Sequence, residues 1–165
     1  MGAMTVRECT IADAEGINRL LLQTNAIHTA GAPEFFALQT CALREEQLAS
    51  LLAAENKLLL CAEADGAVVG FCELTLLSAA GMVEMKNAHI ENIVVDECCR
   101  GQGIGHALMA EAEARAAAWG AKQLNLMCWE FNGGARRLYE SLGLRAQRTI
   151  MIKEIGGTEP DQSGT

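Results

Sequence analysis

Glu91-Asn92-Ile93-Val94-Val95-Asp96-Glu97-Cys98-Cys99-Arg100-Gly101-Gln102-Gly103-Ile104-Gly105 is the stretch on which the reading of this chain turns. From His89 to Val95 the residues are mostly apolar and β-branched, the composition of a central strand. From Ile104 onward apolar residues recur by threes and fours. Ile104, Ala107, Leu108, Ala112, Ala116 and Trp119 form one helical stripe, which Gly120 closes. Between strand and helix stand three glycines in five residues, at 101, 103 and 105, more than a tight turn requires. Glycine lets the backbone come close to a ligand. The helix start adds unpaired N–H groups and the positive end of a dipole. Together they make an anion site suited to a pyrophosphate.

Working outward, the chain alternates strands and helices. Thr5 to Cys9 is short and extended, and Thr10 with Asp13 three residues on is an acidic relative of the capping box. Ile17, Leu20, Leu21 and Thr24 then predict a helix over residues 11–24, before Gly31-Ala32-Pro33 breaks the chain. A second helix is expected at about Arg44 to Ala54. Leu58 to Ala64 and Ala67 to Leu77 read as strands joined by an Asp65-Gly66 turn, with a connection over residues 78–88. After the long helix, Gln123 to Trp129 reads as a strand. Asn132 opens a short helix that turns Ala135, Leu138 and Leu142 inward and ends at Gly143, and Leu144 to Ile155 is the last extended region. The order is β α α β β β α β α β, which predicts a mixed α/β sheet covered by helices.

The chain's 165 residues suit one domain, placed at residues 4–155. Residues 1–3 read as an expression remnant before a start at Met4, and the Gly-, Ser- and acid-rich tail 156–165 as irrelevant to chemistry. The balance of 13 Lys and Arg against 21 Asp and Glu gives a net charge of −8. Nucleic acid and anionic membrane need a cationic surface, so neither is expected as a partner. No apolar run approaches the ~18 residues of a membrane span. Seven cysteines, an odd number without a secretory signal, predict reduced thiols in a cytoplasmic compartment. Cys9, Cys61, Cys72 and Cys128 lie in apolar runs. Cys98, Cys99 and His106 have no spacing that argues for a metal, and none is expected.

Two familiar phosphate loops fail on named residues. The dinucleotide motif G-x-G-x-x-G, started at Gly101, places His106 where glycine is required, and it belongs after a domain's first strand. The loop of nucleotide hydrolases needs a Lys, and none follows these glycines. Arg100-Gly101-Gln102-Gly103-Ile104-Gly105 instead resembles the R/Q-x-x-G-x-G/A signature of the GNAT superfamily, the acetyl-CoA-dependent N-acetyltransferases. Ile90 to Val95 resembles that family's fourth strand. Asn132, Ala135 and Tyr139-Glu140-Ser141-Leu142-Gly143-Leu144 are similar to its "N…A…FYEKLGF" segment, with Leu138 and Leu144 where Phe is usual. Glu97 stands where proline is common.

The resemblance implies a largely antiparallel central sheet of about six to seven strands, flanked by about four helices, whose fourth and fifth strands splay apart. It implies acetyl-CoA as co-substrate, with the pyrophosphate on the backbone of Arg100, Gly101, Gln102, Gly103, Ile104 and Gly105. It places the pantetheine arm along Ile93, Val94 and Val95, with Asn132 and Ala135 on its other side. An amine then attacks the thioester directly, whose carbonyl is polarised by a strand N–H. Tyr139 matches the usual general acid, with packing as its alternative role. Asn132 has plain N-capping as its alternative.

The base is Glu91 or, in competition, Glu73; a structural carboxylate, with water carrying the proton, is the alternative. A partly buried Glu91 sharing a face with Ile93 and Val95 would have its pKa raised. His28 to Phe36 resembles a stretch of a subgroup acting on small amines. That segment and residues 78–88 are expected to shape the acceptor site, with Glu34, Glu73, Glu84 and Glu91 either drawing a cation together or standing as scattered surface acids. The expected activity is N-acetylation of a small-molecule primary amine. Acetylation of a protein amino group and non-catalytic acyl-CoA sensing are the alternatives, and the family leans towards homodimers.

Overall fold

The computed structural model describes residues 4–79 and 85–153. Five strands lie side by side in chain order: β1 (Thr5–Glu8), β2 (Lys57–Ala64), β3 (Ala67–Ala79), β4 (Met85–Val95) and β5 (Gln123–Leu126). β1 to β4 are antiparallel neighbours, and only β4 and β5 run parallel. That parallel pair needs a crossover, which helix α3 (Ile104–Ala118) supplies. α1 (Ala14–Gly31) and α2 (Glu45–Leu52) join β1 to β2, and α4 (Gly133–Ser141) follows β5.

Strand alternation divides the apolar residues between two faces. Leu60, Ala62, Cys72, Leu74 and Ile90 pack against Ile104, Leu108, Met109 and Ala112 of α3. Leu59, Cys61, Phe71 and Val94 pack against Ile17 and Leu20 of α1 and Leu48 of α2. Thr10 and Asp13 do start the first helical segment. The Asp13 carboxylate accepts the Thr10 N–H at 2.7 Å, and a single 3₁₀ turn, Ile11–Asp13, precedes α1. The Asp65-Gly66 hairpin has φ of 50° and 77°, the left-handed pair that such a turn requires.

Several expected boundaries move. α1 continues seven residues past Thr24, because nothing between Asn25 and Gly31 breaks a helix, and it stops at the expected Gly31-Ala32-Pro33. β3 and β4 extend into the expected connection, to Ala79 and back to Met85. β5 ends at Leu126 rather than Trp129. The strand count is five among the described residues, below the six to seven expected. Residues 144–153 form no strand, and residues 154 and 155 lie outside the described part. β5 offers only four residues of edge, and beyond Leu126 the chain turns to rings at the end of α1. Ile150, Met151 and Ile152 remain exposed. All seven cysteines are free. Cys9, Cys61 and Cys72 are core residues as expected, but Cys128 is exposed, since it falls past the end of β5.

Candidate functional site

The glycine loop is tied to α1. Arg19 ion-pairs with the buried Asp96, and its Nη2 donates to the Val68 carbonyl at 2.8 Å. The guanidinium holds the Asp96 carboxyl below the usual range. Asp96 accepts the Cys98 N–H at 3.1 Å, and Gln23 Oε1 accepts the Glu97 N–H at 3.0 Å. Arg19, Gln23 and Asp96 are positioning residues that local patterns do not reveal, because their contacts join α1 to a loop more than 70 positions away.

Past that anchor the backbone is bare. Gly101 and Gly103 have φ of 76° and 81°, and a Cβ on either would meet nothing within 4 Å. Gly103 caps α3, whose first bond runs from the Ala107 N–H to the Gly103 carbonyl at 3.0 Å. The N–H groups of Ile104, Gly105 and His106 precede that bond and have no carbonyl one turn back. Gly105 has a different task. A Cβ there would stand 3.0 Å from Leu138 Cδ2 and 3.8 Å from Val95 Cγ2, so the missing side chain lets α3, α4 and β4 close on one another. Arg100 and Gln102 are exposed, and Arg100 Nε reaches the Val95 carbonyl at 3.4 Å. Ile104 is a core residue whose backbone alone faces the loop.

β4 leads into this loop with one edge free. It pairs with β5 from Asn87↔Gln123 to Ile90↔Leu126, and its last five residues, 91–95, have no β5 partner. This is the expected splay. On the β3 side Glu73 faces Asn92 and Leu74 faces Ile90, so Glu91 is the extra residue of a β-bulge. The bulge overturns the expected shared face. Ile93 and Val95 pack on the α3 side, whereas Glu91 joins polar groups on the α1 side, its side chain 38% exposed.

Those polar groups form a row across four strands. Lys57, Thr75, His89 and Asn125 are direct partners from β2 to β5. Thr75 Oγ1 donates to Glu91 Oε1 at 2.8 Å. His89 Nδ1 lies 2.6 Å from Asn125 Oδ1, and its Nε2 stands 3.8 Å from Glu91 Oε2. Glu73 is buried and occupied, accepting Lys57 Nζ at 2.5 Å and Asn92 Nδ2 at 2.9 Å. Lys57 stands 3.9 Å from Glu91. Of the two competing carboxylates, Glu91 is the one within reach of an incoming molecule. The row holds two carboxylates and one lysine, an excess of negative charge. Glu34 lies exposed in the connection after α1, and Glu84 falls outside the described residues.

On α4, Asn132 takes its N-cap role: its Oδ1 accepts the Ala135 N–H at 3.3 Å. Tyr139 is half-buried, and burial, with lesser contributions from Cys128 and Cys72, pushes its phenol up to about 12. An open groove of about 1070 Å³ runs along α1 to Glu97 and Arg100, but no residue of β4, β5 or α4 lines it.

A bare glycine backbone at a helix start thus stands beside a strand freed along one edge. The profile of the acetyltransferase (GNAT) family matches residues 11–144, and the chain belongs to that family. Over 73 residues it is 40% identical to GCN5-related N-acetyltransferase 4, chloroplastic, of Arabidopsis thaliana, a match covering 44% of this chain and 24% of that protein. The chain thus spans about a quarter of that relative. A mutant BH1408 protein from Bacillus halodurans superposes with a TM-score of 0.88 at 24% identity, over 92% of this chain and 99% of that one. AAC(6')-Iy, in complex with the bisubstrate analog CoA-S-monomethyl-acetylneamine, gives 0.72 at 18% identity, over 94% and 100%. Likeness at these identities shows the fold alone.

Proposed function

We propose that this chain moves an acetyl group from acetyl-CoA to the primary amine of a small molecule. One observation carries the reading. The open backbone at Gly101 and Gly103 lies at the end of β4, the strand that has lost its β5 partner over residues 91–95 and that presents Glu91 on a bulge. The bare glycines fit a pyrophosphate, and the free edge fits an arm that binds as an added strand. Acetyl-CoA supplies an acyl carbon activated as a thioester.

The N–H groups from Arg100 to Gly105 would hold the pyrophosphate. The backbone of Ile93, Val94 and Val95 would run beside the arm and direct one N–H at the thioester oxygen. Asn132 and Ala135 would flank it from α4. Glu91 takes a proton from the acceptor, because an ammonium has no lone pair with which to attack. The excess negative charge of its row favours a protonated amine on arrival. Tyr139, with a phenol near 12, stays protonated at neutral pH and so has a proton to give to the departing sulfur. In the balance, the N–C bond forms and the C–S bond breaks; the ammonium gives one proton to Glu91 before attack, the phenol proton goes to sulfur, and the second proton shed by the acylated nitrogen restores the Tyr139 phenol.

The test is thiol release from acetyl-CoA across a panel of amines. Amine-dependent release with matching acetylated product is expected, and the Glu91→Gln variant should lose most of it. Release no faster than the acceptor-free rate, for every amine, would make the chain a binder instead.

A further inference from the structure

Five rings from two distant segments meet at the mouth of the splay. His28 lies in the last turn of α1, and Phe35 and Phe36 follow that helix; Trp129 and Phe131 come from the chain between β5 and α4. His28 and Phe36 have centroids 4.9 Å apart, Phe36 meets Trp129 edge-on at 5.3 Å, and Trp129 stacks on Phe131 at 5.6 Å. The cluster is not core. Phe35 is 58% exposed, Trp129 38% and Phe131 39%. It is nevertheless held firmly. The Phe131 ring occupies the space where a Gly31 Cβ would stand, at 2.4 Å. Asn25 bonds the Ala37 carbonyl and the Gln39 N–H, at 3.1 and 2.8 Å, and so pins the chain just after Phe36. A fixed, solvent-facing aromatic surface is expensive to leave bare and suits a ligand.

Its position relates it to Glu91. Leu126 is the last β5 residue paired with β4, and Trp129 stands three residues beyond it. Glu91 stands one residue beyond Leu126's partner, Ile90. α1 packs on the face that carries Phe71 and, by alternation, Glu73 and Thr75, so the rings and the Glu91 row share that face. Three residues of chain reach about 10 Å at most. The two ring-bearing segments carry acid only, with Arg136 of α4 near Glu130 and Cys128. Residues 28–36 and 127–132 include Glu34 and Glu130 and no Lys or Arg. Burial lowers the His28 pKa, which keeps that ring neutral. Ring faces and carboxylates both attract cations.

We propose that the acceptor is a protonated primary amine with an apolar body about the size of one ring, its nitrogen at Glu91 and its body against Trp129, Phe131 and Phe36. This rests on the acetyl-transfer reading and narrows it. A phosphorylated or carboxylated amine would meet carboxylates at both ends, with the nearby Lys57 already engaged by Glu73.

The experiment compares kcat/KM for 2-phenylethylamine and ethanolamine, which share an ammonium and differ in body, with glucosamine 6-phosphate and a short peptide α-amine alongside. We expect 2-phenylethylamine to lead ethanolamine about 10- to 100-fold, the usual range for filling an apolar subsite. Trp129→Leu, and independently Phe36→Leu, should shrink that ratio towards one, mainly through KM. Because Trp119 and Trp129 are the chain's two tryptophans, 2-phenylethylamine should also change the fluorescence of the wild type and not that of Trp129→Phe. A wild-type ratio near one, a ratio unmoved in both ring variants, or a faster peptide or phosphosugar would overturn the proposal while leaving acetyl transfer standing. No thiol release with any amine would instead refute the acetyl-transfer reading.

Discussion

Replacing Gly103 by alanine separates the strain of the glycine loop from its purpose. With φ at 81°, an added Cβ forces a left-handed backbone on an L-residue, at roughly 1–2 kcal/mol. Alanine recovers roughly 0.4–1 kcal/mol by restricting the unfolded chain. The net loss is about 1 kcal/mol, a fall in Tm of roughly 2–4 °C for a chain of this size. No clash is added, because nothing lies within 4 Å of the new methyl. Gly120, just past α3, has φ of 84° and equally open surroundings, so Gly120→Ala carries the same strain at the other end of the helix. The two variants should melt alike. They should differ in calorimetric titration with acetyl-CoA. The Gly103 methyl occupies the space proposed for phosphate, and losing one charged hydrogen bond costs about 1.5–3 kcal/mol. That is a roughly 10- to 150-fold weaker Kd. Gly120→Ala should bind as wild type. Unchanged affinity in Gly103→Ala, or equal losses in both, would refute the reasoning.

Tyr139→Phe should lower kcat about 100-fold with little change in acetyl-CoA affinity, measured at saturating acetyl-CoA with an accepted amine; a loss below about threefold would return Tyr139 to packing. Asp13 should make the fold sensitive to acid. Arg7 holds its pKa down, to about 2 from the ordinary 3.8, so the stabilisation of about 2 kcal/mol is full above pH 4 and is lost as the pH falls through 2. Asp13→Asn should flatten urea-unfolding stability over that window, and an unchanged slope would contradict the assignment. Lys57→Met should strip buried Glu73 of its cation and destabilise by about 2–3 kcal/mol in the same assay, with partial recovery in Lys57→Met with Glu73→Leu.

What was legible in the sequence had a strong local period or a strong local chemistry. The stripe from Ile104 to Trp119 put α3 in place, and Asn132 capped α4 as its position suggested. The glycines announced an open loop, although Gly105 proved to serve packing. The bulge at Glu91 was hidden, because a bulge exists only in the register between β3 and β4. The row from Lys57 to Asn125 was hidden for the same reason: it is assembled by three pairings, one of them across a helical crossover. Trp129 follows residues that favour extension, but contacts with Phe35 and Phe36, from the chain after α1, take it elsewhere. The apolar residues from Ile150 to Ile152 suggested a strand, yet a strand needs a partner edge, and β5 stops at Leu126.

A crystal structure of the complex with acetyl-CoA tests the central claim most directly. The account predicts the pyrophosphate on the N–H groups between Arg100 and Gly105, the arm along residues 93–95, and the thioester between Glu91 and the Tyr139 hydroxyl. Density for the molecule in the groove along α1, against Arg19 and Gln23, with the splay between β4 and β5 left empty, would contradict it.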